Sequence, residues 1–112
     1  MKQILLDTNF ILSCIKQKID FFEEIYLMGI QIIIPEQIIN ELKKLKKESA
    51  LKLLENSKFK EISLKGKIVD NSIINYAKEN PDIIIATLDR DIQKKIKNRK
   101  MIIRNKKKLE II

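Results

Sequence analysis

Histidine and tryptophan are absent from this 112-residue chain, and cysteine occurs once, as Cys14. Without histidine, and with a single thiol, the usual zinc ligand sets cannot be assembled, so any metal must be held by oxygen. A lone cysteine forms no internal disulfide and fits a reducing compartment. Cys14 lies among apolar residues of the first predicted helix, where core packing is expected. Long hydrophobic runs are missing too. Ile32–Ile34 and Ile83–Ala86 are far too short to span a bilayer. Asp7 interrupts the apolar N-terminus before a signal peptide could form. A cytoplasmic protein with no membrane partner is expected. Glycine and proline number two each, and no repeat, linker or low-complexity tract divides the chain.

What is present is apolar and charged. Hydrophobic residues make up 45% and charged residues 34%, the balance of a soluble globular domain rather than a disordered one. The length suits one core, so residues 1–112 are expected to form one domain with a basic tail at 104–112. A net charge of +8 favours a polyanionic partner. A general bias toward lysine and isoleucine would account for part of that excess, so charge alone does not decide.

Short apolar runs alternate with helical patterns, as in βαβ units around a parallel sheet. Strands are expected at Ile4–Leu6, Ile30–Ile34, Ile83–Ala86 and Met101–Ile103, with a weaker edge strand at Phe59–Ile62. Their nearly unbroken Ile and Leu content suits strands covered on both faces. Phe10, Ile11, Leu12 and Ile15 mark a first helix, and Phe21, Phe22, Ile25 and Tyr26 a second. Gly29 is placed to end the second in a left-handed conformation. A third helix begins at Pro35 and carries Ile38, Ile39, Leu42 and Leu45 on one face. Others are expected over Glu48–Asn56, Lys67–Lys78 and Arg90–Lys97. The terminal Leu109, Ile111 and Ile112 are expected to pack back on the domain. Tyr26 and Tyr76, at core-edge spacing, are expected to pack rather than stack on bases.

In such folds, strand ends and the starts of the following helices share one rim, where ligands bind. Four acids fall there. Asp7 follows the first strand, and Asp89, in "IIIATLDRDI", follows the strand ending at Ala86, with Asp91 two residues on. Asp70, in "GKIVDNSIINYAK", heads a stripe of Ile73, Ile74 and Ala77, so partial burial is expected. Glu41, in "PEQIINELKKL", flanks the stripe from Ile38 to Leu45. Each has a bland alternative. Asp7 and Asp89 could cap helices, and Asp70 could answer a positive helix N-terminus. Four such coincidences on one rim are harder to accept. Clustered carboxylates repel unless a cation intervenes, and an all-oxygen set suits Mg²⁺ or Mn²⁺. In a protein that binds polyanions, that chemistry points to phosphodiester hydrolysis.

The ordered set "LLDTNFIL", "PEQIINELKKL", "VDNSIINYA" and "IIIATLDRDI" resembles the PIN-domain ribonucleases over almost the whole chain. The resemblance implies a three-layer α/β/α fold with a five-stranded parallel sheet of order 3-2-1-4-5. It also implies RNA cleavage with a divalent metal held at Asp7, Glu41, Asp70 and Asp89, with Asp91 a further candidate. Thr8, Asn9 and Thr87 match the family's polar companions. Many relatives carry a second acid where this chain has Asn71, which leaves a second metal position open. "ATLDRDI", the basic helix after it and "RNKKKLE" look most like archaeal relatives of ribosomal-RNA-processing PIN nucleases, and less like the VapC-type toxin branch.

RNA contacts are expected from Arg90, Lys94, Lys95 and Lys97, and from Lys106, Lys107 and Lys108. A homodimer and ribosome-assembly factors are the candidate partners. Two competing readings are a VapC-type toxin acting on tRNA or mRNA, and an assembly factor that binds RNA without cutting it. A haloacid-dehalogenase-type phosphatase would need an aspartate at Asn9. A receiver domain would need paired acids at the first strand end.

Overall fold

The computed structural model describes residues 2–112. Six strands form one sheet in the order β3-β2-β1-β4-β5-β6. They are β1 (Gln3–Leu6), β2 (Gln31–Pro35), β3 (Lys60–Ile62), β4 (Ile84–Ala86), β5 (Lys100–Arg104) and β6 (Lys108–Ile111). The first five are parallel, in the expected order 3-2-1-4-5. β1 is central, pairing Ile4 with Ile32 on one side and with Ile84 on the other. Ile4, Leu5, Leu6, Ile33, Ile34 and Ile85 are essentially inaccessible. Each contributes about 1.5–3 kcal/mol by burial, which is why these strands read as unbroken apolar runs.

The helices are α1 (Thr8–Lys16), α2 (Phe21–Leu27), α3 (Glu36–Lys44), α4 (Glu48–Glu55), α5 (Val69–Glu79) and α6 (Arg90–Lys95). α1, α3 and α4 pack on one another, and α5 packs on α6. Right-handed crossovers on either side of β1 put these two groups on opposite faces of the sheet. Gly29 ends the α2 region at φ 74, as its position suggested. α6 stops at Lys95 instead of running to Lys97, because Ile96 is extended (φ −119, ψ 151) and turns inward.

The tail is more ordered than expected. Lys108–Ile111 adds a sixth strand antiparallel to β5, pairing Ile103 with Leu109 and Met101 with Ile111. The intervening turn has Asn105 at φ 54 and Lys106 at φ 60. Neither is glycine, so the usual hairpin signal was missing from the sequence. Two side chains also lie elsewhere than expected. Tyr26 is 74% exposed instead of packed, and Leu45 is 50% exposed instead of belonging to the buried face of α3. Each falls in the last turn of its helix or just past it.

Candidate active site

β1 and β4 are adjacent, and the helices that follow them open at the same end of the sheet. The backbone N–H of Asp7 donates to the Ala86 carbonyl at 3.0 Å, continuing the ladder one residue past β1. That bond carries Asp7 into the interior, where it is only 7% exposed. Its Oδ1 accepts from the Thr8 N–H at 2.8 Å, and its Oδ2 accepts from the Thr87 hydroxyl at 2.8 Å. An N-cap aspartate ordinarily accepts from the second or third N–H of its helix. Asp7 accepts only from the first, so capping does not explain its burial.

Burial is the largest influence on the Asp7 carboxyl and lifts its pKa above the ordinary 3.8. The Thr87 and Thr8 hydrogen bonds pull it back, while the charges of Asp70 and Glu41 push it further up. Two of the other expected acids therefore lie close enough to act on Asp7. Glu41 reaches in from α3, half-buried, and Asp70 from the first turn of α5. Asp70 is exposed, contrary to the burial inferred from its stripe. It sits at the second helical residue, ahead of the first buried position at Ser72.

Asp89 is tied to Asp7 through one hydroxyl. Thr87 Oγ1 donates to Asp7 and accepts from the Asp89 N–H at 3.1 Å. The Asp89 carboxylate itself caps α6, its Oδ1 accepting from the N–H groups of Asp91 at 2.8 Å and Ile92 at 3.4 Å. Here the capping alternative holds for one oxygen. Asp91 is exposed on the first turn of α6. Among the described residues, no three carboxylates converge tightly enough to enclose an ion as the side chains stand.

The polar companions divide. Thr87 is fully buried and joins the two aspartates. Thr8 supports Asp7 through its backbone. Its hydroxyl is buried without a partner, the only such side-chain atom among the described residues. Asn9 and Asn71 are exposed.

Three further residues, Gln93, Gln37 and Gly66, support the site. Gln93 Nε2 donates to the Thr87 carbonyl at 2.7 Å, fixing the strand-to-helix turn from α6. Gln37 clamps Leu64 at both ends, donating to its carbonyl at 2.8 Å and accepting from its N–H at 3.1 Å. That clamp joins α3 to the segment leading to Asp70. In that segment Gly66 adopts φ 106, and a Cβ there would meet Ser72 Oγ at 2.8 Å. Partners 27 residues apart in sequence leave no periodic trace.

The basic residues also divide. Arg90 opens α6 beside Asp89, and Lys94 and Lys95 continue along it, all exposed. Lys106, Lys107 and Lys108 lie in or next to the turn after β5, at the carboxyl end of the parallel strands and so on the acid rim. Lys97 is not there. Its neighbour Asn98 donates to the Ile83 carbonyl at the opposite end of the sheet. A cavity of about 670 Å³ is also at that opposite end, among Lys2, Gln3, Asp82 and Arg99, and includes none of the four acids.

Residues 4–108 match the family model described as a PIN like domain. The chain is similar to ribonuclease VapC4 of Methanocaldococcus jannaschii, 33% identical over 127 residues, covering 99% of this chain and 97% of that one. It is 29% identical over 101 residues to the rRNA-processing protein fcf1 of Schizosaccharomyces pombe. That match covers 84% of this chain but only 53% of the yeast protein. In three dimensions it resembles the PIN domain endonuclease Utp24, with a TM-score of 0.84 and 25% identity over 97% of this chain and 90% of that one.

Proposed function

Because the chain belongs to the PIN-like domain family, we propose that it is an endoribonuclease that depends on Mg²⁺ or Mn²⁺ and cuts single-stranded RNA, with ribosomal RNA precursors as substrate. One observation carries the proposal. Asp7 is a buried carboxylate facing two further acids, and the only ion pair among the described residues joins Arg104 to Glu110, at the hairpin. A buried acid with like charges beside it and no basic partner calls for a cation.

The donor set fits one. All the candidate ligands are oxygens, which suits Mg²⁺ or Mn²⁺ over softer metals. Mg²⁺ is commonly held by one or two carboxylates and keeps several waters. Asp7 with one neighbour meets that need, without an enclosing cage. In this reading the protein ligands of the cation are drawn from Asp7, Glu41, Asp70 and Asp89, with Asp91 a reserve at the edge. The bound cation would activate water and stabilise charge developing on the scissile phosphate.

The chain's own residues supply position. Thr87 holds Asp7 Oδ2 and the Asp89 backbone in fixed relation. Gln93 holds Thr87 in turn. Arg90, Lys94 and Lys95 on one side, and Lys106–Lys108 on the rim, take up the phosphates that flank the cut. A flexible single strand can lay its phosphate on a rim with no enclosing pocket, whereas the grooves of a duplex present a fixed shape. We place the activity in the cytoplasm, where the lone buried thiol stays reduced.

The substrate assignment draws on the likeness to fcf1 and Utp24. The 33% identity with VapC4 favours a second reading, a VapC-type toxin cutting tRNA or mRNA. Cleavage of ribosomal RNA precursors beside tRNA, with Mg²⁺, Mn²⁺ or EDTA, separates the two. Cation-dependent cutting of the precursor alone is expected. Preferential cutting of tRNA would transfer the assignment to the toxin, and full activity in EDTA would sink the metal mechanism.

A further inference from the structure

The basic residues so far assigned to RNA belong to the α5–α6 face and the hairpin. A second basic group lies on the opposite face. Four of the five residues 43–47 are lysine, all exposed, at the end of α3 and in the turn to α4. Lys46 and Lys47 line a cavity of about 470 Å³ together with Lys16, from the end of α1, over an apolar wall of Leu12 and Ile15. The turn is fixed. Lys46 N–H donates to the Lys43 carbonyl at 3.1 Å and Lys47 N–H to the Leu42 carbonyl at 3.0 Å, with Lys46 at φ 55.

We propose that this lysine-walled cleft between α1 and the α3–α4 turn is a second RNA-binding surface, which seats the flank of a single strand that crosses the acid rim from the α6 face. The proposal rests on the nuclease reading for the position of the cut. Three observations support it. First, the two helices that end at this cleft also bear the site: α1 starts directly after Asp7, and α3 carries Glu41. The cleft lies at the far end of α1 from Asp7, about 12 Å of helix rise away. Second, none of these lysines is in an ion pair, since the only pair among the described residues is at the hairpin. Glu48 also lines the cleft, but in the first turn of α4 its charge is answered by the helix's own positive end. Third, ammonium groups beside an apolar wall match a single strand, which offers phosphates and exposed base or ribose faces together. A strand so bound would touch basic groups on both faces, with the acids between them.

The test measures polyuridylate binding in EDTA, so that no cleavage is involved, across a salt series. Binding should be steeply salt-dependent, with a slope set by the number of phosphates neutralised. Lys16→Gln, Lys46→Gln and Lys47→Gln combined should flatten that slope by about 2, since each contact to a single strand contributes about 0.7. The melting temperature should stay unchanged. A control removing the same charge at the amino ends of β1 and β3, Lys2→Gln with Lys58→Gln and Lys60→Gln, should barely move the slope. Equal slopes in wild type and the first variant, or an equal loss in both variants, would overturn the surface and leave the nuclease reading intact. The expected loss in a protein that cuts no RNA would keep the surface and remove the nuclease. Tighter binding of polyglutamate than of polyuridylate, lost in the first variant, would give the cleft to an acidic protein and refute the proposal.

Discussion

Asp7 and Asp89 look alike in sequence. Each follows a strand of buried isoleucine and leucine, and each precedes a helix. In the fold they do different work. Asp89 is half-exposed and gives one oxygen to the N–H groups of Asp91 and Ile92, the bonds of a helix cap. Asp7 is buried, accepts only from the first helical N–H and from Thr87, and faces the charges of Asp70 and Glu41. The difference comes from the sheet. Asp7 remains hydrogen-bonded to its neighbouring strand, whereas Asp89 lies three residues past β4 and has turned away. A carboxylate's role here follows from which N–H groups it reaches and how much water is left around it.

The comparison breaks most sharply in catalysis. Asp7→Asn should cut RNA cleavage by about a thousandfold or more, as several kcal/mol of transition-state stabilisation are lost with the cation site. Single-turnover assays at saturating RNA check this, and near-normal rates would remove Asp7 from the chemistry. Thr87→Val attacks the hydroxyl shared by both aspartates. It leaves a buried Asp7 oxygen and the Asp89 N–H without their partner, so stability should fall by about 1–3 kcal/mol in urea melts. Loss of activity beyond that of an equally destabilised core variant such as Ile85→Val would show that the bridge orients Asp7.

The pH dependence of stability sharpens the contrast. Burial raises the Asp7 pKa in the folded state, so between about 3.9 and its higher native value the native state binds more protons than the unfolded state. The stability due to this group is therefore full below that window and is lost as pH rises through it. In EDTA, Asp7→Asn should lack this loss and melt above the wild type at pH 7. The order should reverse or close with Mg²⁺, which binds the wild type and adds stability by mass action. A lower melting temperature for Asp7→Asn in EDTA at pH 7 would return Asp7 to a capping role. In EDTA, Asp89→Ala should cost about 1 kcal/mol, while Asp89→Asn, still a good cap, should cost almost none. The smallest effect is expected at Lys97. Lys97→Gln should leave the salt dependence of RNA binding nearly untouched, while Arg90→Gln lowers it.

Much of the fold was legible because its strands are buried on both faces and its helices are amphipathic. The five parallel strands and their order followed from the alternation of patterns and the family resemblance. β6 did not, because Asn105 and Lys106 take left-handed conformations without glycine to announce them. The gathering of acids was legible from strand ends, yet the exposure of Asp70 was not. Spacing to Ile73 and Ile74 fixes a helix face, but not how much of the first turn is covered. Gln37 was invisible for another reason: its partner, Leu64, lies 27 residues on and is set by the tertiary fold.

Cys14 is wholly inaccessible, and burial pushes its thiol pKa up to about 12. Only a thiolate attacks a labelling reagent at a useful rate, so the native thiol is silent near neutral pH. Labelling must wait until α1 leaves the core, which makes the sole cysteine a built-in clock for opening. When reclosing is fast, its rate reports the free energy of opening, and when reagent is abundant it reports the opening rate itself. Because α1 begins at Asp7, a cation bound at the rim should slow that clock, giving a readout of metal binding that needs neither RNA nor an engineered probe.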